Sequence, residues 1–219
     1  MDAVLFDMDG TLLDTLDDLH ASVNYALAAD GLAPVSRDAV RLAAGYGSIV
    51  LMDELSAHAY PTDSPRFAQL LDTFAQHYNA HHDDATAPYA GIPELLAALD
   101  ERGLAMAIVS NKVQRDTEEL RQLYFAQHIG LAVGRTDERA PKPAPDMALA
   151  ALEQLGVQAA ATVFVGDSEP DVQMAQNAGC VSVACLWGFR SRACIEQLRP
   201  DFIVERPAQV LDVLDELER

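Results

Sequence analysis

Lysine is almost missing from this chain. Of 15 basic residues in 219, two are lysines, Lys112 and Lys142, and the rest are arginines. Against 34 acidic residues they leave a formal net charge of −19. A field of that sign repels a nucleic-acid backbone or an anionic membrane, so neither is an expected partner. An anionic small molecule would need a site locally inverted in sign. Cysteine is scarce too: Cys180, Cys185 and Cys194 are odd in number and lack CxxC spacing, which argues against a disulfide framework or a zinc site. No apolar run reaches about 18 residues, and no basic segment precedes the first hydrophobic stretch. Neither a membrane span nor a signal peptide is expected, and the cytoplasm is the expected location. Half the residues are hydrophobic, enough for one large domain or one domain with an insert.

What is present is a series of short apolar runs that end in polar residues. AVLF precedes Asp7, AMAIV precedes Ser110 and Asn111, TVFV precedes Gly166 and Asp167, and VSVACLW precedes Gly188. They are short and rich in Val, Ile and Phe, as strands covered on both faces should be. Between them, PELLAALDERG, PDMALAALEQLG and EPDVQMAQNAG each place a proline near the start and a glycine past the end of a helical pattern. The alternation predicts an α/β fold with a doubly wound, Rossmann-like parallel sheet. Residues 14–90 differ in character, with helical periodicity throughout, about four helices, and Ser36 and Ser64 as expected N-caps. The expected organisation is an α/β core of residues 1–13 and 91–219 with a helical cap, 14–90, inserted after the first strand. Such a cap is expected to act as a lid on the ligand crevice, which lies at the carboxyl ends of the strands.

Those strand ends carry the chemistry. VLFDMDGTL delivers Asp7 and Asp9 together, and two carboxylates that close repel unless a cation or a proton intervenes. An aspartate there can attack phosphorus, and an acid two residues on can protonate the leaving oxygen and later deprotonate water. Carboxylates facing a phosphate dianion call for a divalent cation, and Mg2+ suits an all-oxygen shell. Asp167 in GDSEPD adds a carboxylate, Lys142 in PKPAPD supplies a point charge for phosphate oxygens, and Ser110 a hydrogen bond. An Asp-Gly pair alone is more often a turn than a catalyst. An EF-hand reading of DMDGT fails, because its glycine position falls on Leu12 and its glutamate position on Asp18.

Four stretches in order, DMDGT, VSN, the lysine of PKPAPD and GDSEPD, resemble the motifs of the haloacid dehalogenase superfamily. The resemblance spans residues 4–171. It implies Asp7 as nucleophile and Asp9 as general acid/base, with Ser110 and Lys142 completing the catalytic set. It implies phosphate contacts from Thr11, Ser110, Asn111 and Lys142. Mg2+ would be held by Asp7, the backbone carbonyl of Asp9 and Asp167, with Asp171 in support. Relatives that cleave carbon–halogen bonds lack an acid at the position of Asp9, and phosphonate-cleaving relatives use a cap lysine, which residues 14–90 do not contain. Mutase relatives carry a cap histidine five residues after the position of Asp14, where this chain has Leu19, and a GxSR-like loop where it has GYGSIV.

The remaining expectation is hydrolysis of a small phosphorylated metabolite. Segments DGTLLDTLDDL, AGYGSIVLMDEL and PYAGIPELLAALDERGLAMAIVSNK are similar to the phosphoglycolate phosphatases, which implies 2-phosphoglycolate as substrate. A broad sugar-phosphate phosphatase, a pyrophosphatase and a phosphomutase are the alternatives within the superfamily, and an idle phosphate-binding module the alternative outside enzymes. In the cap, the turn Gly45, Tyr46, Gly47 is the expected substrate contact, since glycines let backbone N–H groups approach an anion. His77, His81 and His82 beside Asp83 and Asp84 read as a solvated helix end, Arg135 and Arg139 as a solvated loop, and Trp187 as a strand-end core residue. Monomer and homodimer both remain open.

Overall fold

The computed structural model describes all residues, Met1–Arg219. Six strands form one sheet: β1 (Ala3–Phe6), β4 (Ala105–Val113), β5 (Leu131–Arg135), β6 (Thr162–Gly166), β7 (Val181–Cys185) and β8 (Phe202–Val204). Their order is β5-β4-β1-β6-β7-β8, and every pairing is parallel. The chain steps outward from β1 through β4 to β5, then returns to its other side through β6, β7 and β8. Strand β1 is therefore the point where the order reverses, which in open parallel sheets is where a ligand binds.

Helices cover both faces, and β1 shows how the sequence divides them. Val4 and Phe6 belong to a core cluster with Leu95 and Leu99 of α5 (Ile92–Glu101), Leu120 of α6 (Gln114–Tyr124) and Leu214 of α10 (Gln209–Leu217). Leu5 belongs to a second cluster with Met147 and Ala151 of α7 (Asp146–Leu155) and Met174 of α8 (Glu169–Ala178). Alternate residues thus serve opposite layers, as the two-residue period of a strand requires. Gly156 and Gly179 cap α7 and α8 with φ of 70° and 79°, which explains the glycine after each helical pattern. One further helix of the sheet unit, α9 (Arg192–Leu198), lies between β7 and β8 in the chain.

The chain divides into two compact units, Met1–Leu13 with Pro88–Arg219, and Asp14–Ala87. The crossings β2 (Leu13–Asp14) and β3 (Ala87–Pro88) pair with each other. Pro88 to Ala90, expected in the insert, group with the sheet unit; the Tyr89 N–H donates to the Leu12 carbonyl at 3.1 Å and its ring packs on the sheet core. The second unit holds α1 (Leu16–Ala29), α2 (Arg37–Ala43), α3 (Ser48–Leu55) and α4 (Pro65–His81). Ser36 and Ser64 accept from the backbone N–H groups of Ala39 and Phe67, both at 3.2 Å, and so cap α2 and α4. Phe67, Leu70, Phe74 and Tyr78 form the buried stripe of α4. No helix of the chain is long and apolar enough to cross a membrane.

Two strands differ from expectation. VSVACLW ends as a strand at Cys185, and AMAIV continues through Ser110, Asn111 and Lys112 to Val113. Leu5 is wholly buried between strand neighbours and helices α7 and α8. Leu5→Ala should cost about 3 kcal/mol of unfolding free energy, transfer plus cavity, read as a lower urea midpoint at unchanged slope.

Candidate active site

Phe6 pairs in register with Ile108 of β4 and Val165 of β6, so the residues just beyond these three positions lie at one edge. Asp7 is the first residue past β1, its N–H bonded to the Val165 carbonyl at 2.9 Å. The chain then turns sharply: the Met8 carbonyl accepts from Thr11, Leu12 and Leu13, at 3.3, 3.0 and 2.9 Å. Gly10 sits in this turn with φ of 86°, and a Cβ there would lie 2.6 Å from Oδ2 of Asp167. Only glycine lets the loop after β1 close onto the loop after β6.

Asp7, Asp167 and Asp171 form one buried group whose carboxylate oxygens lie within 4.8 Å of one another. Lys142 Nζ enters this group and donates to Asp7 at 2.6 Å and to Asp171 at 2.8 Å. The other oxygen of Asp171 accepts from the backbone N–H of Ser168 at 3.0 Å and its hydroxyl at 2.5 Å, which closes a capping box at the start of α8. Asp167 accepts from Thr11 Oγ1 at 3.1 Å and from the Phe189 N–H at 2.7 Å.

Burial, and next the Asp171 charge, hold the Asp7 carboxyl well above the ordinary carboxylate range, with Lys142 opposing both. Burial pushes Asp167 up to about 7, aided by Asp171 and opposed by the Phe189 and Thr11 hydrogen bonds. For Lys142, burial by itself disfavours the ammonium, yet Asp171 and Asp7 outweigh it and the pKa stands above the usual lysine value. One ammonium among three carboxylates leaves negative charge uncompensated. The donor set is all oxygen, which suits a hard divalent cation, so the residues present fit a metal ion.

Asp9 lies beside this group and pairs with Lys112, Nζ to Oδ2 at 3.3 Å. Ser110, expected at a phosphate, is buried and its Oγ accepts from the Lys112 N–H at 3.2 Å. Two more residues expected at a phosphate have side chains bonded within the protein. Thr11 is wholly buried and directs its hydroxyl to Asp167, while Asn111 bonds the backbone of Lys142, accepting from its N–H at 2.7 Å and donating to its carbonyl at 3.4 Å. Thr11 orients a carboxylate and Asn111 orients the segment that carries the lysine. Trp187, expected as core, packs partly buried against the sheet core and also donates from Nε1 to the Thr11 carbonyl at 2.9 Å, so it braces the aspartate loop.

The other singled-out residues have partners of their own. His81 pairs with Asp84 at 2.8 Å, His82 with the Asn79 carbonyl at 3.0 Å, and His77 with Ser22 at 3.0 Å while stacking on Tyr25. Arg139 donates to Gly134 and Gln114. In the helical unit, Gly45 and Gly47 have φ of 113° and 90°, Gly47 caps α3, and Tyr46 between them is exposed. Sequence reasoning missed Lys112 as a partner of Asp9. Its rarity was the available signal.

Comparison with known proteins agrees with this arrangement. The family described as haloacid dehalogenase-like hydrolase matches residues 4–185. The chain belongs to that family. It is an enzyme of the hydrolase class with phosphatase-named relatives. An N-acetylmuramic acid 6-phosphate phosphatase of Pseudomonas aeruginosa is 36% identical over 215 residues, 97% of this chain and 94% of the relative. A phosphoglycolate phosphatase of Pectobacterium atrosepticum is 32% identical over 212 residues, covering 95% and 90%. Among solved structures, a predicted phosphoglycolate phosphatase from Haemophilus somnus superposes with a TM-score of 0.87 at 27% identity, covering 98% of both chains.

The raised carboxyl of Asp167 gives this hydrolase a pH signature. A carboxyl whose folded pKa exceeds its unfolded value stabilises the fold at low pH, and that contribution is lost as pH rises from about 4 through about 7. A bound divalent cation reverses the penalty, because it favours the ionised form. The thermal midpoint should therefore rise more on adding a divalent cation near pH 8 than near pH 5, in a scan of the metal-stripped protein. An equal rise at both would remove the three carboxylates as the binding site.

Proposed function

We propose that this hydrolase is a Mg2+-dependent phosphatase that acts through a phosphorylated aspartate on small phosphomonoesters. The observation that carries the reading is Asp7 at the end of the central strand, bonded to Lys142 and grouped with Asp167 and Asp171, with Asp9 two residues on. Asp7 and Asp167, with the Asp9 carbonyl and support from Asp171, would hold Mg2+. Bound there, the ion supplies charge neutralisation for the phosphoryl oxygens.

The residues of the chain carry the remaining steps. An Asp7 carboxylate oxygen attacks phosphorus, the bond from phosphorus to the leaving oxygen breaks, and Asp9 gives that oxygen a proton. Lys142 keeps the Asp7 side chain in place and offsets negative charge during the transfer. Ser110 donates to a phosphoryl oxygen. Water then attacks the phosphorus of the acyl phosphate on Asp7, Asp9 takes the water's proton, and phosphate leaves with Asp7 restored.

For the substrate, we infer a phosphate ester of a primary alcohol that also bears a carboxylate. 2-Phosphoglycolate and N-acetylmuramic acid 6-phosphate share those two groups although they differ greatly in size, and the relatives named for them cover nearly all of this chain. 2-Phosphoglycolate is the first choice, and the muramic acid ester is the second reading, favoured by the higher identity of its relative. Selection between alcohols is assigned to the turn Gly45–Gly47 of the helical unit. Its exposed Tyr46 offers an aromatic face, and its two glycines put no side chain between the backbone and a ligand.

Phosphate release from both compounds, hexose phosphates and pyrophosphate, with Mg2+ or a chelator, tests the reading. Turnover should require the cation. Asp7→Asn should abolish it with the fold intact, whereas Asp9→Asn should slow it about 10²- to 10⁴-fold. Phosphate release surviving in Asp7→Asn defeats the mechanism, and preference for pyrophosphate defeats the substrate class. Replacing Gly47 with valine should depress kcat/KM on the best substrate far more than on acetyl phosphate. An equal loss on both removes the turn from substrate selection.

A further inference from the structure

Both lysines of the chain end on an aspartate of the DMD loop. Lys142 reaches Asp7, and Lys112 reaches Asp9 at 3.3 Å. The Lys112 side chain is nine-tenths buried and the Asp9 side chain about four-fifths, so this is not a solvated surface pair of the kind that contributes little. Strand β4 is irregular where Lys112 sits: its register with β5 shifts between Val109 and Val113. Irregularities of this kind re-aim side chains beside active sites. Here the segment turns Asn111 to the Lys142 backbone, and the Lys112 N–H fixes Ser110 Oγ while its ammonium meets Asp9.

We propose that Lys112 is a positioning residue that acts on the reaction through the Asp9 carboxyl group. The inference rests on the phosphatase reading above. In the first step, the Asp7–phosphorus bond forms, the bond to the alcohol oxygen breaks, and the proton on Asp9 moves to that oxygen. This transfer needs the Asp9 carboxyl within hydrogen-bond reach of the leaving oxygen, and displacement by about 1 Å can cost on the order of 10²-fold. A tether from a central strand to the side chain of a tight turn restricts that displacement. Lys112 is thereby separated from Lys142, whose ammonium touches the nucleophile itself.

The expected pattern is specific to a tether. Lys112→Met keeps the length of the side chain and removes its charge. It should slow phosphorylation of Asp7 by an alkyl phosphomonoester about 10- to 100-fold in single-turnover measurements. With acetyl phosphate, whose leaving group needs no proton, the same step should change less than about threefold. Lys112→Arg should recover most of the alkyl rate, since an ion pair with Asp9 remains available to it. In an Asp9→Asn background, Lys112→Met should add no further loss, because the group it positions is gone.

Multiplying losses in the double variant would overturn the proposal by showing that Lys112 contacts substrate or phosphate directly. Equal slowing with both phosphoryl donors would overturn it as well, since a general structural defect gives that result. Urea unfolding of the wild type, the two single variants and the double variant reads the pair without turnover, and non-additive midpoints are expected. Additive midpoints overturn the Asp9–Lys112 link. If the wild type turns over nothing on the substrate panel, the phosphatase reading fails by itself, and the unfolding cycle still decides whether the tether exists.

Discussion

Three carboxylates buried within one another's reach, and a single lysine set among them, impose the condition that the rest of this structure satisfies. Asp7, Asp167 and Asp171 repel strongly in a medium stripped of water, and burial by itself pushes two of them toward the protonated form. Lys142 bridges Asp7 and Asp171 but not Asp167. Asp167 is held by Thr11 and the Phe189 backbone, and Asp171 by the N-terminal turn of α8. These bonds stabilise carboxylates without neutralising them. The site thus keeps an excess of negative charge of the kind that a divalent cation would offset.

That condition reaches into the backbone. The loops after β1 and β6 must approach until side-chain atoms of one meet main-chain atoms of the other, and glycine supplies the clearance. A Cβ on Gly10 would strike the Asp167 carboxylate, and within the β6 segment one on Gly166 would stand 2.3 Å from that of Asp171. The sheet order supplies the remaining proximity. With β1 between β4 and β6, Asp7 and Asp167 follow their strands, and Ser110 lies on β4 two residues past the partner of Phe6, so all three arrive at one edge. Convergence of residues far apart in sequence is a property of the topology, and the loops only refine it.

Legibility in the sequence follows the same division. The strands β1, β4, β6 and β7 and the helices α5, α7 and α8 could be read because each announces itself locally, by an apolar run or by a proline and glycine at the ends. Strands β5 and β8 could not. LAVGR holds a glycine and an arginine within five residues, and FIV is three residues long, so neither has the length that periodicity needs. The aspartates and Lys142 were readable from strand ends and motif order. The tasks of Thr11 and Asn111 were not, since their partners lie 156 and 31 residues away and a hydroxyl or amide beside a motif looks the same whichever way it turns. Lys112 left a trace in composition alone, and only geometry ties it to Asp9.

The distribution of cations is the other half of this trace. Several arginines occupy exposed pairs such as Arg41 with Asp38, Arg102 with Asp215 and Arg115 with Asp116, where a planar fork loses little by staying hydrated, although Arg121 and Arg190 are buried. The two lysines occupy the sheet edge. A compact ammonium can donate to two carboxylates at 2.6 and 2.8 Å from one point, whereas a guanidinium spreads its donors over a plane and needs more room. The Phe164 ring, 5.2 Å from Lys142 Nζ, adds an apolar wall that favours a cation over its face. In a chain of net charge −19, both point charges stand against the DMD loop, where they offset part of the charge of Asp7, Asp9, Asp167 and Asp171. Four carboxylates still outnumber the two ammonium groups, so the lysines lessen the negative charge at this edge without reversing it, and the donor set there keeps its fit to a hard divalent cation.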